Sequence, residues 1–366
     1  MIIVAGNNIS ALFLCAYFEQ KGIDYIRYYT ENIDDYTFYL NDVTSGMEKR
    51  ALELLGRSLD SSGDKEIGVY TDGGIKYIPG DFKNFCNWIK ESDDSDETKN
   101  VLAAISEIGK EWIETVENTF NIKTSMDSIM ARNFMKGYSD FLTKNIKNDE
   151  IKTIFKSFVP RRDVSLNTAA GYIYSQLFDG SGHENKISEL AKELISSLSE
   201  NKQIKLNSFE ELDLEGKDYE AFIKLYEDAD PLVKLTTYYV ESDEDAKEKV
   251  VFCAFDDMEQ SGISQMILWS EEGSRRLDVY YESSRSDDEV TEYVRKKLSE
   301  IHIKKQVGYT ELKRQYGSGH FAGWAFNTKE NCKNPIVLKN KKLMDLSHWG
   351  NGHFTCCLVA LANLER

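Results

Sequence analysis

The residues best spaced for chemistry lie in one short stretch, Gly6-Asn7-Asn8-Ile9-Ser10-Ala11, directly after an apolar run over residues 1–5. A pyrophosphate can rest on a helix N-terminus only if the turn before the helix lets the backbone approach closely, which is why glycines recur in such turns. Gly6 meets that need. Asn8 occupies the second glycine position, and because Asn tolerates left-handed backbone angles it is expected to keep the turn while its side chain takes up space. Ala11, at the third position, still allows close packing of helix on strand. The GxNxxA spacing also serves parallel strand-to-helix turns that hold no nucleotide. Two readings therefore stand side by side: a dinucleotide turn, or an inherited fold whose nucleotide cleft is empty or altered.

Other candidates are thinner. Gly350-Asn351-Gly352 opens a second helix flanked by His348, Trp349 and His353, which could face a ligand or could simply begin a helix. Arg161-Arg162 has the chemistry to clamp a carboxylate bidentately, with structural ion pairing as the alternative in so acidic a chain. The tyrosine pairs 238–239 and 280–281 point to opposite strand faces, so one of each pair is expected in the core. Cys15, Cys86, Cys253, Cys332, Cys356 and Cys357 form no CxxC pair, and with the five histidines they show no metal-ligand spacing. Ser/His/Asp and Cys/His arrangements, GKS/T-type phosphate loops and HExxH are missing from the sequence. The chemistry then belongs to a cofactor, and no side chain is named as catalytic.

The elements that must position the Gly6 turn are legible around it. Residues 1–5 suit a buried parallel strand, and a helix follows in which Ile9, Leu12, Phe13, Ala16 and Phe18 make a broad apolar face. Gly22 ends that helix as a C-cap. "IDYIRYY" reads as a second strand, and the crossover demands parallel pairing. This is the first half of a Rossmann-type sheet. Further on come "TFYL", a helix at "SGMEKRALELLG", and "VYTDGGIKYI" with a hairpin turn at Asp72-Gly73-Gly74. A largely helical block extends to about residue 178. "ISELAKELISSL" carries a helical apolar stripe, and "QIKLNSF" after it reads as a strand. Strand-like runs at "VKLTTYYV", "KVVFCAF", "SQMILW" and "RLDVYY" suggest a mixed or antiparallel sheet roofed by helices. A helix near 287–299, a strand near "HFAGWAF" and a helix from about Asn351 follow.

On these residues the N-terminal stretch resembles, without a gap, the FAD-dependent amine oxidases, phytoene desaturases and protoporphyrinogen oxidases: Ile9-Ser10 before Ala11, then Leu12, Ala16-Tyr17 and Gly22, fall in register. The resemblance implies FAD as cofactor, with Gly6, Asn8, Ile9, Ser10 and Ala11 at its pyrophosphate. Tyr29 stands where the family has the acidic residue that holds the adenosine ribose, and a phenol lacks a carboxylate's two acceptors. Glu31 lies on the same strand face, two residues late. The Gly-Gly-Arg that follows the ribose acid in the family is missing. Downstream, "FYLNDVTSGMEKRALELLG" is similar to the segment passing the flavin ring, and "VYTDGGIKYIP" to a substrate-side hairpin. "GHFAGWAF" resembles the strand ending in Ala-Gly-Asp/Glu, with Gly323 kept and Trp324 in place of the acid. Gly350, Asn351 and Gly352 then correspond to the second flavin-contacting turn.

Composition bounds the rest. At 366 residues, two packed domains are expected. The sequence divides them as a discontinuous dinucleotide (FAD)-binding domain, 1–80 with about 183–215 and 301–366, and a substrate domain, about 81–182 and 216–300, with a helical insertion. The fold class expected is α/β, a Rossmann-type domain joined to a mixed sheet with helices. A formal net charge of −17 argues against nucleic acid or an anionic membrane as partner. Residues 301–366 nonetheless carry ten basic and four acidic side chains, which fits either solvated faces or proximity to an anion such as a cofactor pyrophosphate. With no basic n-region and no long apolar run, the expectation is a cytoplasmic protein with reduced thiols. The leading function is FAD-dependent oxidation of a small amine or alicyclic metabolite in a biosynthetic pathway, with a homo-oligomer or a protein partner left open. The alternative is a non-catalytic relative that keeps the fold as a binding or assembly partner.

Overall fold

Four apolar residues, Ile2–Ala5, form β1, buried on both faces at the middle of a six-stranded sheet. That position explains why the run does not alternate with polar residues. The structure, a computed structural model, describes residues 1–30, 51–57, 66–117, 133, 136–159, 165–174, 187–226, 233–241, 250–271, 274–299, 301–308, 337–338, 341–346, 357, 360–361 and 364. Helix α1 (Ile9–Lys21) follows β1 and stops at Gly22, whose φ of 67° is left-handed and whose N–H caps the last turn. Every α1 residue from Ile9 to Ala16 is buried. A helix apolar all round must be covered on all sides, so α1 has more than the single apolar face expected. β2 (Tyr25–Tyr29) then pairs with β1 in parallel, Ile2 opposite Tyr25 and Ala5 opposite Tyr28.

The remaining strands are β3 (Glu66–Thr71), β4 (Gly74–Pro79), β5 (Gln203–Lys205), β6 (Ala221–Lys224), β7 (Val233–Val240), β8 (Val250–Cys253), β9 (Ile263–Glu271), β10 (Ser274–Glu282), β11 (Ile303–Val307), β12 (Val337–Leu338) and β13 (Lys341–Asp345). The first sheet runs β12-β13-β6-β1-β2-β5 and is parallel except for its β12 edge. The second sheet runs β11-β7-β10-β9-β8-β3-β4 and is antiparallel apart from the β3/β8 pair, hence mixed as expected. The β3–β4 hairpin turns at Asp72-Gly73, and Gly74 follows with φ 105°.

Two segments pair with the other sheet than the domain division from sequence would have it. The hairpin over 66–79 joins the seven-stranded sheet, because β3 aligns with β8 from Ile67 opposite Val250 to Tyr70 opposite Cys253. β6 joins the six-stranded sheet beside β1, where Ala221, Phe222 and Ile223 are buried. "TFYL", "HFAGWAF" and most of the basic C-terminal segment lie outside the described residues.

Helices α2 (Phe82–Ser92), α3 (Asp96–Glu117), α4 (Tyr138–Asn145), α5 (Asp149–Ser157) and α6 (Leu166–Tyr172) form the helical block. Edge-to-face contacts hold the block together, Phe85 to Phe155 at 5.6 Å, and tie it to the second sheet, Phe158 to Phe252 of β8 at 5.4 Å. α7 (Ile187–Ser196) shares a core with α1 through Leu190, Ala191 and Leu194. α8 (Asp287–Lys297), started by a Ser286/Glu289 capping box, roofs the opposite face of the second sheet, where the Tyr238 hydroxyl meets Thr291 Oγ1 at 2.9 Å. Since both faces of this sheet are covered, Tyr280 and Tyr281 are both buried, which corrects the expectation of one core residue per pair. Tyr239 is half-buried and Tyr238 fully buried.

Candidate functional site

β1 has β2 on one side and β6 on the other, so the strand order reverses between β1 and β6. In open α/β sheets such a switch point opens a crevice at the carboxyl ends of the strands. The sequence Gly6-Asn7-Asn8 leaves β1 at that end, and α1 aims its N-terminus there. No acidic residue stands in the first turn of α1, so no carboxylate there offsets the helix's positive end.

The turn is built by close packing. Gly6 N donates to Tyr28 O at 3.0 Å, and Leu225, just past β6, donates from its N to Ala5 O at 2.8 Å. A Cβ added to Gly6 would lie 2.9 Å from Leu225 Cβ and 3.3 Å from Ala11 Cβ. Glycine is thus required by the neighbouring loop, while its φ is not among the left-handed ones. Ala11 makes the close helix-to-strand approach expected of the third motif position.

Asn8 differs from expectation. Its backbone is extended, φ −76° and ψ 168°, and not left-handed. It is the N-cap: its Oδ1 accepts from Ala11 N at 3.0 Å, a proton also shared with its own carbonyl at 3.1 Å, and its Nδ2 donates to Leu225 O at 3.0 Å. The Asn8 carboxamide therefore spans the switch point from α1 to the end of β6. Asn7 makes a second tie, with Oδ1 accepting from Thr30 N at 2.9 Å and Nδ2 donating to Thr30 Oγ1 at 2.8 Å. Ile9 and Ser10 are buried in the first turn. Tyr29, the last residue of β2, is half-buried with the Arg27 guanidinium 4.7 Å from its ring centre, and Arg27 Nη1 donates to Gln203 Oε1 at 3.1 Å.

Gly323, Trp324, Gly350, Asn351 and Gly352 lie outside the described residues, as do Glu31, Arg161-Arg162, His348, Trp349 and His353. Cys357, five residues past Gly352, donates from Sγ to Ser10 O at 3.3 Å, so the C-terminal segment reaches the first turn of α1. Residues 357, 360, 361 and 364 are helical, as expected after Asn351.

A dinucleotide fits this turn in position and in part in contacts. The topology brings a helix N-terminus with no acidic residue in its first turn to the switch point, yet the Ala11 N–H, one of the first-turn donors a phosphate oxygen would use, already has Asn8 as partner.

A second polar cluster was missed by sequence reasoning. On β10, Asp278 Oδ1 accepts from Thr237 Oγ1 at 2.7 Å, while Oδ2 accepts from Trp269 Nε1 at 2.9 Å and lies 3.0 Å from Arg276 Nη2. Arg276 and Asp278 are 4% and 1% exposed. Burial outweighs the Arg276 charge and holds the Asp278 carboxyl above its ordinary range. With Tyr280 and Trp269, the pair faces the core shared with α1. The spacing "RRLD" was the available signal, since charges two apart on a strand share a face.

Among the described residues no group of three or more His, Cys, Asp or Glu side chains could hold a metal. Cys15, Cys86, Cys253 and Cys357 are free thiols, and burial pushes Cys15 and Cys253 up to about 12 and Cys86 to about 11, which leaves them protonated at neutral pH. No helix among the described residues is long and apolar enough to cross a membrane.

No family model matches the chain, and no curated protein is significantly similar to it in sequence. Solved structures are similar in fold. An oxidoreductase from Methanosarcina mazei superposes with a TM-score of 0.60 at 10% identity, over 100% of both chains. Cyclohexylamine oxidase from Brevibacterium oxydans IH-35A gives 0.55 at 11% identity, over 100% of this chain and 99% of its own. Wild-type putrescine oxidase bound to putrescine gives 0.56 at 10% identity, over 100% and 99%. At such identities the likeness establishes the fold: the chain has the α/β architecture of these amine oxidases, the group its opening motif resembles.

Proposed function

We propose that the chain is an FAD-dependent oxidoreductase of the amine oxidase type, acting on a small amine or alicyclic metabolite in a biosynthetic setting. The observation that carries this reading is the meeting of the Gly6 turn and the α1 N-terminus at the β1/β6 switch point. In this reading Gly6, Asn8, Ile9, Ser10, Ala11 and Tyr29 line the adenosine-pyrophosphate side, and the C-terminal turn at Gly350-Asn351-Gly352 completes the cleft with Gly323 and Trp324. The dinucleotide-binding unit is built on the six-stranded sheet and the substrate-facing unit on the seven-stranded one. FAD supplies the hydride acceptor, and the chain's own residues bind, orient and exclude water. The fold shared with cyclohexylamine and putrescine oxidases supports an amine as substrate class.

A second reading is a cofactor-free relative that serves as a binding or assembly partner. The hydrogen bonds already made by Asn8 and Asn7, together with Tyr29 in place of an acid, favour it. The experiment that separates the two is anaerobic mixing of FAD-loaded protein with a panel of aliphatic and alicyclic amines. Bleaching of the flavin's visible absorbance by at least one of them is expected. Flavin that dithionite reduces but no amine does would sink the oxidase assignment.

A further inference from the structure

We propose that Asn8 is a built-in competitor for the dinucleotide phosphate, an affinity-setting residue that holds the β1–α1 turn closed when no cofactor is bound. The inference rests on the dinucleotide reading above and deepens it. Three independent features of the turn point to it.

First, Asn8 uses both ends of its carboxamide across the switch point. Oδ1 accepts from the third N–H of α1 and Nδ2 donates to the carbonyl of Leu225. The first-turn N–H groups of a helix have no intrahelical acceptor, so whatever accepts from them is either a cap or a ligand, and the two exclude one another at a given N–H. Second, the loop after β6 packs directly on the turn: a Cβ added to Gly6 would lie 2.9 Å from Leu225 Cβ. Asn8 ties that same Leu225 to the helix. Third, Asn7 anchors the outer side of the turn to Thr30 at the end of β2 with two hydrogen bonds, so the closed turn is braced on both flanking strands.

At Ala11 N the turn supplies for itself the acceptor a phosphate would supply. A phosphate oxygen that uses this N–H must displace the Asn8 side chain, which is held in place by its bond to Leu225 O. Because the Asn8 backbone is extended, any residue can occupy position 8 without strain, and Asn8→Ala removes the side chain alone.

The test is equilibrium titration of the full chain with ADP and with FAD, alongside melting midpoints without ligand. Asn8→Ala is expected to bind both ligands about tenfold more tightly than the wild type, as removal of one to two competing hydrogen bonds implies. Its ligand-free midpoint should fall by about 2–4 °C through loss of the cap. Asn8→Asp keeps an acceptor for Ala11 N but adds a negative charge, and should bind more weakly than the wild type. Asn8→Ser, which caps but is too short to bridge to Leu225, serves if the alanine variant does not fold, and should also bind more tightly. Equal or weaker binding by the alanine and serine variants, with the wild type still binding, overturns the competitor role and leaves the dinucleotide reading intact. No binding of ADP or FAD by any variant at millimolar concentration overturns both.

Discussion

Asp278→Ala is expected to cost about 3–5 kcal/mol of stability, a large share of what a folded domain has to lose. The carboxylate takes a hydroxyl from Thr237, an indole N–H from Trp269 and an ion pair from Arg276, and all four side chains are buried. Removing the carboxylate takes an ion pair from a guanidinium at 4% exposure and a hydrogen bond from each of two buried donors. Urea unfolding of the single variant and of Asp278→Leu with Arg276→Met checks the cause: the paired apolar replacement should recover at least half of the loss, because the cost is that of an uncompensated charge. If both lose the same amount, the cluster acts through packing. The pH dependence has a definite sign. A carboxyl whose folded pKa is raised binds its proton more tightly in the native state, so its contribution is fully present below the unfolded pKa of about 3.9 and is lost as pH rises through the folded value. The stability of wild type relative to Asp278→Asn should therefore decline as pH rises above about 4.

Gly6→Ala is expected to cost about 1–3 kcal/mol, since the new methyl would sit 2.9 Å from Leu225 Cβ, an atom fixed to backbone that cannot swing away. Leu225→Ala keeps that Cβ and should give no relief. In a Leu225→Gly background the Gly6→Ala cost should fall below about 0.5 kcal/mol, a coupling that a double-mutant cycle in urea measures. An unchanged cost in both backgrounds would mean that Gly6 answers to some other neighbour. Because Gly6 substitutions strike the fold itself, loss of binding in such a variant says nothing about a ligand, and position 8 is the cleaner probe.

The parts of the fold legible in the sequence are those fixed by local chemistry. An apolar run, a glycine turn, an apolar helix and Gly22 specify β1, α1 and β2, since each is set by neighbours a few residues away. The Asp72-Gly73 hairpin is legible for the same reason. What was hidden depends on partners far along the chain. Ala221–Lys224 is four residues long, and nothing local says that it pairs with β1 and not with the strands that follow it. From sequence the Asn8 side chain reads only as taking up space in the turn, whereas Leu225 O, 217 residues away, supplies its partner. Tyr280 and Tyr281 show the limit of the period-two rule: alternation separates the faces, but only the tertiary cover of both faces makes each residue core.

In the proposed function the β1–α1 turn binds a dinucleotide, with its affinity lowered by Asn8 and by Tyr29 in place of an acid. The most direct test is quenching of FAD fluorescence on titration with the wild-type chain, followed by competition with ADP. Saturable one-site quenching that ADP reverses is expected, loose enough for the flavin to be lost on dialysis. Absence of saturable quenching up to about 1 mM FAD, where binding free energy would be no better than about −4 kcal/mol, would contradict it.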